Sequence, residues 1–218
     1  MLKQQTFNSL QFYSKYYFRL LSDCEYLRSQ EKGHSALFAL FSILENIIKS
    51  SLNDFKSNFN ILVKKLFELN IISEIEYNFL NNQEIGIRKI RNIFAHGNLS
   101  KYDLKYDDEP ATYPLTENET CLKFYDQISE ILFSIILKII DNEMNSNLNL
   151  KMNNNFTEKI IEELKFKIII RSPEELMKFK GIEINDEFKN LSQSSKYRLV
   201  ENSSDTYILE QIFKNLLK

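Results

Sequence analysis

The sequence predicts a mainly α-helical protein, an antiparallel helical bundle followed by a small C-terminal α+β appendage. Three observations carry that expectation. Glycine and proline are scarce, four and three in 218 residues, so unbroken helices are favoured over tight turns. Apolar side chains recur at helical spacing from the N-terminus to about residue 140. Beyond residue 155 the pattern shortens into runs such as FKIIIR (166–171), which read as strands.

Taken in order, residues 7–28 place Phe7, Leu10, Tyr13, Tyr17, Leu20 and Leu21 at helical spacing and read as a first helix. A break at EKGHS (31–35) starts a second, ALFALFSILENIIKSSL (36–52), with Ser35 as N-cap. Its apolar positions cover most of the circumference, so it is expected at the centre. Glu45, the one acid inside that apolar body, is expected on the exposed side. FNILVKKLFELN (59–70) gives a third helix, and Ser73 with Glu76 has the spacing of a capping box that opens a fourth. IRKIRNIFAHG follows as about three turns of helix by its periodicity. Residues 98–116 hold two of the three prolines and read as an ordered loop or lid. The long helix of residues 116–140 is expected to be capped by Thr116, with Glu119 three residues on.

The Asn-rich stretch 141–155 reads as a linker, dividing a bundle (1–145) from the appendage (156–218). There FKIIIR, YRLV (197–200) and TYIL (206–209) read as strands, the last two as a hairpin across ENSSD. SPEELMKF (172–179) and LEQIFKNLL (209–217) read as helices, the first with Pro173 at N1 after Ser172.

Composition narrows the function. A chain with 43% hydrophobic and 27% charged residues is an ordinary globular one. A net charge of −2 excludes a protein that coats nucleic acid over its whole surface, so any RNA contact must use a local basic patch. The first residues lack the apolar stretch of a secretory signal. The longest apolar run, ILFSIILKII (131–140), is too short to span a bilayer and holds Ser134 and Lys138. A cytoplasmic protein without a membrane partner is expected. Cys24 and Cys121 are far apart and in no metal-like spacing, which predicts free thiols. No phosphate-binding or dinucleotide glycine motif occurs, and two histidines with two cysteines make a metal site or other cofactor unexpected.

One stretch carries chemistry: IRKIRNIFAHGN, residues 87–98. On a helix, Ile90, Ile93, Phe94 and Gly97 form an apolar stripe, while Arg88, Asn92 and His96 line a polar one. Arg91 lies beside Asn92, and its long side chain can lean toward His96. Gly97 suits the left-handed position that ends a helix, putting His96 in the last turn, where a protonated imidazole complements the macrodipole. The same residues also describe an ordinary helix stop. His34, at a helix start, reads as a surface or capping residue. The acidic run Asp107-Asp108-Glu109 reads as a solvated loop, or as a restraint on the basic site.

Arg91-Asn92-Ile93-Phe94-Ala95-His96 resembles the R-x4-H motif of the HEPN superfamily, including the Asn after the Arg and the Ala before the His. The order of helices from residue 1 to about 145 is similar to that of HEPN domains; the region after 155 is not explained by it. The resemblance implies a metal-independent endoribonuclease, a toxin or anti-phage effector. His96 would transfer protons, Arg91 would stabilise charge on the phosphorane, and Asn92 would orient phosphate or histidine. Arg88 and Lys89 are the expected substrate-binding cations, and Glu45 a supporting residue. It further implies a homodimer that brings two motifs into one cleft, with the aromatic N-terminal helix or the 124–140 helix as interface, and an antitoxin or defence-system partner. In toxins of this superfamily silenced by nucleotidyltransferase partners a tyrosine commonly follows two residues after the His; here that position is Asn98, and the nearest downstream tyrosine is Tyr102. A non-catalytic module that binds and oligomerises is the competing expectation.

Overall fold

The computed structural model describes residues 2–83, 85–144 and 155–203. Among these the chain is mainly helical, with a three-stranded antiparallel sheet. The segment read as one N-terminal helix is two, α1 (Leu2–Tyr13) and α2 (Lys15–Ser29). Ser14 between them is extended, and its hydroxyl accepts from the Tyr17 amide, so a serine in mid-pattern starts a helix rather than continuing one. α3 (Gly33–Ser51) begins two residues before the expected cap Ser35. Its start is fixed by packing: a Cβ on Gly33 would lie 2.7 Å from the Asn118 carbonyl oxygen and the Leu122 nitrogen. The Asn118 carboxamide accepts from the Gly33 amide and donates to the Glu31 carbonyl, each at 2.8 Å.

α4 (Phe59–Glu68) and α5 (Glu74–Asn81) follow, the latter with the expected Ser73–Glu76 capping box. Next comes α6 (Ile87–His96). Glu31, Asn53 and Asn70 take left-handed backbone just past α2, α3 and α4. Each of these stops carries the paired reverse hydrogen bonds of a helix end, such as Asp54 N–H to Lys49 and Ile71 N–H to Leu66. Asparagine thus does the work of glycine in a glycine-poor chain.

Residues 98–116 are not a plain loop. A 3-10 turn (Leu99–Lys101) leads into β1 (Tyr102–Tyr106) and β2 (Thr112–Pro114), an antiparallel pair. The alternation of Tyr102, Leu104 and Tyr106 was the legible strand signal, masked by the charges between. α7 (Asn118–Met144) starts two residues after Thr116 and is buried almost all round from Phe124 to Ile140. Its apolar body is bundle core, not an open face. α8 (Asn155–Glu163), which the linker reading did not anticipate, precedes β3 (Phe166–Ile170). β3 pairs with β1 in the order β2-β1-β3, so the sheet joins the 98–116 segment to the C-terminal region. Asp103 on β1 is buried against Arg171 at 2.5 Å; burial raises its carboxyl above the ordinary range, opposed by that guanidinium.

α9 (Pro173–Phe179) has the expected Ser172 cap and Pro173 at N1. α10 (Asp186–Asn190) and α11 (Gln193–Glu201) complete the described chain. YRLV is therefore helical, not a strand. Ser192 caps the Ser195 amide, and Lys196, Tyr197, Leu199 and Val200 bury one helical face. TYIL and LEQIFKNLL lie outside the described residues, as does 145–154 of the linker.

Consecutive long helices alternate in direction. α2 runs against α3, since Tyr17 bonds the Asn46 carbonyl and Cys24 bonds that of Ala36. α7 departs from this order: Thr6 meets Phe133 while Tyr13 meets Glu143, so α1 and α7 run the same way. Cys24 and Cys121 are free and buried, and burial pushes their thiols up to about 11 and about 12. Among the described residues no helix is long and apolar enough to cross a membrane.

Lys138, the charge inside the apolar run, donates to Glu76 at 2.5 Å, both side chains being buried. Glu76 also closes the α5 capping box, so one carboxylate ties α5 to α7. Lys138→Met is expected to cost about 3–5 kcal/mol by leaving that carboxylate unpaired. Adding Glu76→Gln should recover part of the loss. Urea unfolding checks both, and a single-variant loss below about 1 kcal/mol would contradict the assignment.

Candidate functional site

The site is built from two helices. α6 buries Ile87, Ile90 and Ile93 and presents Arg88, Asn92 and His96 outward, as the i+4 spacing requires. It runs against α3: Phe94 meets the Phe41 ring at 5.9 Å and the His34 ring at 6.4 Å, while Arg91 reaches Glu45. His34, expected as a surface or capping residue, is half-buried in the first turn of α3, and its Nε2 lies 2.9 Å from the Leu115 carbonyl oxygen.

Glu45 overturns its expected exposure: it is buried, with Arg91 on one oxygen and Lys49 at 2.8 Å on the other. The physical reason is that two cations share its charge, so burial does not leave a carboxylate unpaired. Arg91 leans across to α3 rather than along α6 toward His96. Its Nη1 donates to the Asn92 side-chain oxygen at 3.0 Å, and its guanidinium stands over the Phe59 ring at 5.5 Å. Three contacts on three different elements leave it little freedom to swing. With one acid and two cations, the Glu45–Lys49–Arg91 group keeps a single positive charge.

His96 is the last residue of α6 and is exposed, as are Gly97 and Asn98. Gly97 is extended (φ −89°, ψ 163°) and not left-handed. The chain leaves α6 directly into the 3-10 turn, whose start Asn98 caps by accepting from the Ser100 amide at 3.1 Å. Among the described residues no side-chain hydrogen bond or ion pair holds His96, Arg88 or Lys89. Arg91, Asn92 and Glu45 are thus brought together, and His96 stands one helical turn beyond Asn92 on the same exposed stripe. The acidic run does not restrain this site: Asp107 pairs with Lys167, and Glu109 with Lys123 and Tyr113.

Sequence reasoning missed Lys49 and Phe59. The first was legible as an i+4 partner of Glu45; the second had no local signal. Among the described residues no cluster of three or more His, Cys, Asp or Glu side chains is placed to hold a metal. A scan of protein-family models, a search of curated proteins and a search of solved structures find no match to the chain.

The two motif residues should separate in stability. Arg91→Ala strands a buried carboxylate, and a double-mutant cycle with Glu45→Gln is expected to give a coupling of about 1–3 kcal/mol. His96→Ala, at an exposed position, should change stability by less than about 0.5 kcal/mol. Coincident urea curves for wild type and Arg91→Ala would refute the first expectation.

Proposed function

We propose that the protein is a metal-independent endoribonuclease of the HEPN type, with Arg91, Asn92 and His96 as its reacting constellation. The observation that carries this reading is the contrast within the motif. Arg91 is fixed by Glu45, Asn92 and Phe59, whereas the exposed His96 side chain has no hydrogen-bond or ion-pair partner among the described residues. A helix stop needs neither a clamped guanidinium nor a free imidazole; phosphoryl transfer uses both.

RNA carries its own nucleophile, the 2′-OH. One His96 would take the 2′ proton as the oxygen attacks phosphorus, and the P–O5′ bond would break as a second imidazole protonates the leaving 5′ oxygen. Arg91 would donate to the non-bridging oxygens, where charge builds. Glu45 acts as a positioning residue that holds the planar fork, and Lys49 restores the positive charge that Glu45 removes. Arg88 and Lys89, without an ion-pair partner among the described residues, would bind flanking phosphates.

Two imidazoles require two chains. A two-fold dimer places each α6 beside its symmetry mate without further design, and the exposed Arg88–Asn92–His96 stripe is the face to be shared. α7, the other helix expected to supply an interface, is buried along most of its length. An antitoxin or defence-system partner would restrain the activity in the cell. The competing reading, a non-catalytic oligomerisation module, is favoured by one observation: Arg91 already has a matched carboxylate.

Purified protein is expected to cleave single-stranded RNA in EDTA, and substitution of 2′-deoxyribose at the cut site should block it. His96→Ala should lower the rate by about a hundred- to ten-thousandfold with an unchanged melting curve. Sedimentation should give a dimer. A requirement for added Mg²⁺, or equal cutting of DNA, would overturn the mechanism.

A further inference from the structure

α3 leaves one stripe open to solvent. Ser35, Phe38, Ser42, Asn46 and Lys49 follow each other at spacings of three and four and are exposed or half-exposed. The stripe runs between α6, which covers the side bearing Phe41 and Glu45, and α2, which covers the side reached by Tyr17 and Cys24. From Phe38 to Lys49 it is about 16 Å long at 1.5 Å per residue.

Aromatic rings stand at both ends. Phe38, 53% exposed, lies one turn from His34 and so toward the end where α6 delivers His96. At the other end is the α1–α2 corner. Tyr13 and Tyr17 are stacked there with centroids 6.5 Å apart at 18°, and Tyr16 lies 5.3 Å from Tyr17. Phe12 and Tyr16 are 82% and 62% exposed. Hydrogen bonds from Tyr13 to Glu143 and from Tyr17 to the Asn46 carbonyl fix two of these rings against α7 and α3. Leaving Phe12 and Tyr16 open to solvent gains the fold nothing.

Lys49 and Arg91 flank Glu45, and Arg88 precedes Arg91 by three residues on α6. On α2, Lys15 and Arg19 lie within three residues of Tyr16, with Asp23 one turn beyond Arg19, and Glu143 holds Tyr13. That is a local excess of cations in a chain whose net charge is −2. Lys15, Arg19 and Arg88 have no acidic partner among the described residues. Rigid rings with an exposed face, spaced along a cationic stripe, are the chemistry of single-strand nucleic-acid binding, where bases stack and phosphates find cations.

We infer that the α3 stripe is the track of a single-stranded RNA, with Phe38 and the Tyr16–Phe12 corner as stacking platforms on either side of Lys49 and Arg91. The inference rests on the ribonuclease reading for its direction: the strand passes from the corner across Arg91 toward His96. It assigns the aromatic corner to substrate, not to a second copy of the chain.

The test uses the full chain carrying His96→Ala, so that substrate survives, and fluorescence anisotropy with a short unstructured RNA. Phe38→Ala and Tyr16→Ala should each weaken binding by roughly five- to a hundredfold. Phe38→Tyr and Tyr16→Phe, which keep a ring, should retain it. Lys15→Gln and Arg19→Gln should each reduce the salt slope by about one. Duplex RNA, whose bases are stacked on one another, should bind weakly and not respond to the ring variants. Unchanged affinity in the two alanine variants overturns the track. So does conversion of a dimer to monomer by Tyr16→Ala, which would give the corner to a second copy. The two readings fail separately. If the chain without the His96 change cuts RNA but the ring variants bind normally, the track falls and the nuclease stands. If ring-dependent binding occurs without any cutting, the nuclease falls and the track stands.

Discussion

The buried carboxylate of Glu45 is the constraint on which the arrangement at α3 and α6 depends. It sits on the central helix, faces α6, and holds Arg91 and Lys49 at once. Removing a charge from water is costly, and only its two partners offset that cost. α6 therefore cannot slide or rotate along α3 without separating a largely buried carboxylate from its partners. Phe94 between Phe41 and His34 fixes the other end of the same helix pair. The exposed stripe of α6 follows from that register: with Arg91 pinned inward, Asn92 and His96 must face out.

The rest of the fold supplies the platform under this pair. α7 is buried along most of its length, and the Gly33 contact seats the start of α3 directly on the first turns of α7. α1 and α8 pack on α7 as well, and α2 packs on α3. The hairpin that leaves α6 is then stitched to the C-terminal region by β3 and by Arg171, which pairs with Asp103. The 3-10 turn after His96 is further held from that region, where Lys101 stands over the Tyr197 ring at 4.7 Å and Ser100 bonds Glu201 at 3.2 Å. The end of the motif helix is thus framed from two directions, by α3 beneath and by α11 beyond, while His96 itself stays exposed.

What was legible in the sequence was local. The capping box at Ser73, Pro173 at N1 after Ser172, the α6 periodicity and the apolar body of α7 are encoded within a few residues, and each formed as read. What failed depended on distant partners. Glu45 is buried because Arg91, 46 residues away, neutralises it. The α3 start moved to Gly33 because α7 occupies the space a side chain would need. Tyr102–Tyr106 became a strand because β3 completes its pairing, and YRLV became helical because a serine cap outweighed its β-branched look. At the site, the motif residues themselves were plain, whereas Lys49 and Phe59 became partners of the motif only through tertiary packing.

The central claim is that RNA is cut by its own 2′-OH with imidazole as the proton carrier. The chemistry of the product ends tests this most directly, because it records which oxygen attacked phosphorus. Phosphorus NMR and end-labelling of the fragments released by the purified protein should show 2′,3′-cyclic phosphate on one end and 5′-hydroxyl on the other. Fragments ending in 3′-hydroxyl and 5′-phosphate would mean that water attacked instead, and would contradict the account.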